Sequence, residues 1–105
     1  MIRHIVLLAL TPDHDAGELA DIMQQLAALV GHLPGFTDFE HGPNRDFENK
    51  SAQYPYGFVG TFTGPAALDT YARDARHSAL GARLVAMCDG GADGIMVADL
   101  AVSEP

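Results

Sequence analysis

The sequence predicts an α+β domain in which helices cover one face of a four-stranded antiparallel sheet. Three observations point there. Four short apolar or alternating stretches are bounded by Gly, Pro or Asn, as strands are. Two intervening regions place aliphatic side chains at helical rather than strand spacing. Their order along the chain is βαββαβ, the order of a ferredoxin-like sandwich.

The first strand is read over Ile2–Leu10, IRHIVLLAL, and ends at Thr11-Pro12, where proline removes a ladder donor. Ile2, His4, Val6, Leu8 and Leu10 share one side, and Ile5, Leu7 and Ala9 share the other. A strand apolar on both sides needs cover on both sides. Asp13 and Asp15 offer N-cap oxygens for a helix over about residues 15–30. Its stripe is Leu19, Ile22, Met23, Leu26, Leu29 and Val30, with Gly31 suited to the C′ position.

Phe36–Gly42 is a short polar strand suited to a sheet edge, and residues 43–53 form an aperiodic loop. Tyr56–Thr63 alternates, with Tyr56, Phe58, Gly60 and Phe62 on one face. Thr63-Gly64-Pro65 then opens a helix with Pro65 at N1, and Leu68, Tyr71 and Ala72 face inward. A second helical stripe follows at Leu80, Leu84, Met87 and Cys88. Residues 89–94 are a turn cluster, and Ile95–Val102 is the last strand.

A chain of 105 residues is one domain by size, so residues 1–105 are read as a single unit. Fourteen acidic residues against six Lys and Arg give a net charge of −8. That field disfavours nucleic acid and anionic membrane as partners. The longest apolar run, Ile5–Leu10, is far short of the roughly 20 residues a membrane span requires. With one cysteine, Cys88, no intrachain disulfide is possible. These features together predict a cytoplasmic protein.

The strands carry more apolar surface than two helical regions can hide, and each large side chain left in water forgoes roughly 1.5–3 kcal/mol. The expected remedy is a homodimer joined through the open sheet face, enclosing a small-molecule pocket at the seam.

Five residues are candidates for that pocket. His77 and Tyr71 form the candidate catalytic pair: histidine exchanges a proton near neutral pH, and a tyrosine hydroxyl can stabilise a developing enolate. His4, Tyr56 and Phe58 are the candidate ligand-binding residues. The competing reading is packing alone, with His77 as a helix-end histidine and Tyr71 as a core aromatic. Six residues on an unbroken helix separate two side chains by about 120°. Convergence of Tyr71 and His77 therefore requires a break between Arg73 and Arg76, with His77 beside the open sheet face. No Cys–His cluster or paired histidine spacing points to a metal, and no glycine-rich phosphate motif is present. No cofactor is expected.

Taken together, MIRHIVLLAL, HLPGF, GPN at residues 42–44, YGFVGTF, the Y-x₅-H spacing of Tyr71 and His77, and the ADL ending at residues 98–100 resemble the stress-responsive α/β-barrel family. The resemblance spans nearly the whole chain. It implies a dimeric ferredoxin-like barrel, and it covers both proteins of unclear activity and a cofactor-free polyketide cyclase. By that likeness Tyr71 and His77 match a catalytic Tyr–His pair and His4 matches a first-strand pocket histidine, while Tyr56 stands where the cyclase has another histidine. The activity implied is His/Tyr acid–base chemistry on a carbonyl or polyketide-like compound. The alternatives are a non-catalytic dimer that carries a ligand or serves in stress, and a cofactor-free monooxygenase.

Overall fold

A computed structural model describes residues 1–103. Strand β1 (Ile2–Leu8) is followed by α1 (Ala16–Ala27), β2 (Phe36–Pro43), β3 (Tyr56–Phe62), α2 (Pro65–Arg73), α3 (Ala75–Met87) and β4 (Ile95–Ala101). A 3₁₀ turn at Gly91–Gly94 leads into β4. The four strands form one antiparallel sheet in the order β2-β3-β1-β4, so β2 is an edge, as its polar sequence suggests.

Local chemistry sets the element ends. Asp15 caps α1 by accepting from the backbone N–H groups of Gly17 and Glu18 at 2.8 and 3.1 Å. The helix stops at Ala27, three residues short of the expected end, because Leu29 and Val30 are drawn into a tight turn instead. Gly31 serves that turn with a φ of 84° rather than closing the helix directly. Strand β1 likewise ends two residues early, and Leu10 pairs in an isolated bridge with Cys88.

The interruption required between Tyr71 and His77 is present. Asp74 has extended φ and ψ of −67° and 133°, ending α2 and capping α3 at once. Its carboxylate accepts from the Arg76 backbone N–H at 2.9 Å and pairs with the Arg76 guanidinium.

Facing register shows which side of the sheet each residue takes. His4 lies opposite Gly60 and Asp99, Val6 opposite Phe58 and Val97, and Ile2 opposite Phe62. This is the helix-covered side, and Val6, Leu8, Phe58 and Phe62 are buried there against Ile22, Met23, Leu26 and Leu84. Gly60 makes room within it: a Cβ there would lie 3.2 Å from Phe62 and 3.4 Å from Phe36, whose rings stack with centroids 4.6 Å apart.

Ile5, Leu7, Val59, Met96, Ala98 and Leu100 occupy the opposite, uncovered side, where Met96 and Leu100 remain 41% and 51% exposed. The sequence places Tyr56 and Phe58, which share a face with Phe62, at a seam awaiting a partner. The structure corrects that: helices cover their face, and the bare apolar stripe belongs to the alternate residues.

Candidate active site

Tyr71 is the hub of an aromatic cluster between α2 and the sheet. It is 1% exposed, and its ring lies 5.1 Å from Phe36 and 5.0 Å from Phe62, centroid to centroid. His77, at the first turn of α3, comes within 4.1 Å of it by the same measure. The kink at Asp74 turns the second helix so that residues six apart meet on one side. His4 reaches the same cluster from β1, with its ring 5.8 Å from Tyr71 and 6.4 Å from Phe58.

Four of the five candidate residues therefore converge: His4, Phe58, Tyr71 and His77. They do so under the helices of a single chain. The expected chamber between two sheets, with His77 beside the open face, is not where they lie. Tyr56 stands apart, its hydroxyl 2.6 Å from Nδ1 of His41. It forms a second histidine–tyrosine contact toward the other end of the sheet.

Asp99 is a polar group outside the five candidates. Its Oδ1 lies 2.6 Å from Nδ1 of His4 across the β1–β4 pairing. The available signal was a lone carboxylate in the apolar strand IMVADLAV, but only the register shows which residue it meets.

A cleft of about 440 Å³ opens beside this cluster, lined by Ile2, His4, Pro65, Leu68, Asp69, Ala72 and Asp99. It has room for a small aromatic ring and an apolar wall in Ile2, Leu68 and Ala72. His4 is the histidine on its surface, while Tyr71 and His77 stand behind. A second, shallower hollow of about 400 Å³ lies on the uncovered sheet face over Ile5, Leu7, Gly57 and Val59.

Burial governs the proton chemistry. It holds the His77 imidazole below its ordinary value of 6.5, with the nearby His4 adding to the effect while the Ala72 backbone and Asp74 oppose it. His77 is thus neutral at neutral pH, and its buried Nδ1 has no hydrogen-bond partner among the described residues. Burial also pushes the Tyr71 phenol far above its ordinary value of 10.0, so it keeps its proton. A neutral imidazole and a protonated phenol place one acceptor and one donor in the same cluster.

Among the described residues, no group of three or more His, Cys, Asp or Glu is placed to hold a metal ion. Likewise, no helix is long and apolar enough to cross a membrane.

The family model for the stress responsive A/B barrel domain matches residues 2–102. The chain belongs to the stress responsive A/B barrel family. A dimeric ferredoxin-like protein of unknown function from Jannaschia sp. is 50% identical, with a TM-score of 0.91 and coverage of 96% of this chain and 98% of that one. A hydroxynitrile lyase from Passiflora edulis shares the A/B barrel architecture at 15% identity, TM-score 0.79, covering 99% of this chain and 94% of that one. SnoaB, a cofactor-independent oxygenase from Streptomyces nogalater, does so at 12% identity and TM-score 0.74, with coverage of 99% and 94%. These last two likenesses show a common fold. Comparison with curated proteins found no match.

Proposed function

We propose that this A/B barrel protein is a homodimeric small-molecule enzyme that moves protons without a cofactor, acting on a neutral carbonyl compound. The observation that carries this reading is the meeting of Tyr71 and His77 across the Asp74 kink, at a ring separation of 4.1 Å. With it, a buried acceptor and a buried donor sit side by side next to a cleft of ring size.

In the proposed reaction the substrate lies against Ile2, Leu68 and Ala72 with its carbonyl toward Tyr71. The phenol, behind the cleft wall, turns its dipole to the oxygen on which charge develops as a neighbouring C–H loses its proton to a histidine imidazole of the cluster. Phe58 and His4 bound the ligand on the sheet side, and Tyr56, tied to His41, is peripheral. The lyase and the cofactor-independent oxygenase that share this architecture support its use for chemistry on small molecules.

The test is exchange of the α-protons of 2-tetralone for deuterium in heavy water, followed by proton NMR. Wild-type protein is expected to exceed buffer, with His77→Ala and Tyr71→Phe each slower by at least about a hundredfold. Equal rates in wild type and both variants would remove the pair from the chemistry.

A further inference from the structure

The cleft exposes the pair Asp99–His4, and neither the Tyr71–His77 contact nor the family assignment accounts for it. Resting on the acid–base reading above, we propose that Asp99 is a positioning residue for His4. It holds the imidazole in the Nδ1–H form, leaving Nε2 as the bare nitrogen that accepts the substrate's proton.

Three observations carry this. Asp99 Oδ1 is 2.6 Å from His4 Nδ1, a short hydrogen-bond contact. Both residues line the 440 Å³ cleft, whereas Tyr71 and His77 do not. The pairing of β1 with β4 places His4 directly opposite Asp99, so the sheet itself sets their separation. Strands hold a catalytic group more tightly than a loop does.

A carboxylate that accepts from one ring nitrogen decides which nitrogen is left unprotonated. Without that partner the neutral ring is free to carry its proton on Nε2, where it is useless as a base toward the cleft. The groups facing His4 are Asp99 from β4, Tyr71 from α2 and His77 from α3, and Asp69 of α2 lines the same cleft. Asp69 is drawn toward Arg73, 3.1 Å away. Asp99 alone among these groups touches the ring with an anion.

The step balances simply. The α C–H bond breaks, its proton goes to His4 Nε2, and its electron pair forms the enolate, whose oxygen faces the Tyr71 hydroxyl behind the cleft wall. The same proton, or a deuteron from solvent, then returns to carbon. His77 stands behind Tyr71 and tunes the phenol rather than meeting the substrate.

The decisive measurement is ¹⁵N-resolved NMR of the His4 ring at about pH 9, where histidines are neutral. The expected result is an Nδ1–H ring in wild type and in Asp69→Ala, and a shift toward Nε2–H in Asp99→Ala. An Nε2–H ring in wild type, or an unchanged ring in Asp99→Ala, would overturn the assignment.

The exchange of 2-tetralone gives a second readout. His4→Ala should slow it by at least about a hundredfold and Asp99→Ala by at least about tenfold, and Glu48→Ala, in the exposed loop away from the cleft, should not. Full exchange in His4→Ala would also overturn it. If wild type shows no exchange at all, the acid–base function falls, and the ring tautomer still decides the role of Asp99.

Discussion

At the scale of single residues, two side chains show how burial turns ordinary groups into a site. Burial weakens protonation of His77 in the folded chain, so the unfolded chain binds that proton more readily. The stabilising contribution is present above the ordinary histidine value of 6.5 and is lost as pH falls from there through the lowered folded value. Wild type should therefore lose stability over that range, and His77→Phe should lose less. Chemical denaturation at a series of pH values measures it, and parallel curves would contradict it. Phe62 sets the other limit. It is fully buried, stacked on Phe36 and close to Tyr71, so Phe62→Ala should cost about 3–5 kcal/mol, read from urea unfolding. The chemistry-bearing residue types were legible in the sequence, since His4, Tyr71 and His77 stand out among apolar neighbours. The partnership of Asp99 with His4 was not. The two are 95 positions apart, and only the adjacency of β1 and β4 brings them together.

At the scale of elements, the kink between α2 and α3 shows what helical arithmetic could and could not foresee. Residues six apart cannot meet on an unbroken helix, so a Tyr–His pair at that spacing demands an interruption. The sequence located it between residues 73 and 76, and it falls at Asp74. Asp74 makes it by capping α3, and the Arg76 side chain and backbone hold its carboxyl down at about 2. The sign follows from that depression: the contribution is present above the ordinary carboxylate value of 3.8 and lost as pH falls through about 2. Asp74→Ala should melt at a lower temperature than wild type at pH 7, with the difference shrinking toward pH 2. A gap that holds constant with pH would show that the carboxylate is not the cause. The same variant should slow 2-tetralone exchange, because Tyr71 and His77 depend on the kink for their contact. What periodicity could not supply was the choice of covered face in β1 and β3. Alternation separates two sets of residues, but helices can settle on either when both are apolar. The set with Phe58 and Phe62 won because the Phe62 ring interlocks with Phe36 and Tyr71 and Phe58 packs on Phe39.

At the scale of the molecule, that choice leaves Ile5, Leu7, Val59, Met96 and Leu100 as an apolar stripe across the uncovered side of the sheet. The 50%-identical relative is dimeric, and a second copy laid sheet against sheet would bury the stripe under two-fold symmetry. Val59 lies on β3 directly opposite Ile5 of β1, in the middle two strands of the sheet. Val59→Lys would place an unpaired ammonium inside that contact, a change worth several kcal/mol, so association should weaken by at least about a hundredfold. Sedimentation over a dilution series should then show wild type holding as a dimer at concentrations about a hundredfold below those at which Val59→Lys has become a monomer. Thr70→Lys, on the exposed side of α2, should remain a dimer. A dimeric Val59→Lys would place the seam elsewhere. The catalytic consequence runs against a chamber shared between subunits. His4, Tyr71 and His77 meet beneath the helices of one chain, with Asp99 beside them on β4 of that chain, so the monomeric variant should keep its 2-tetralone exchange wherever it stays folded. Loss of exchange in folded Val59→Lys monomers would mean that the second subunit completes the cleft.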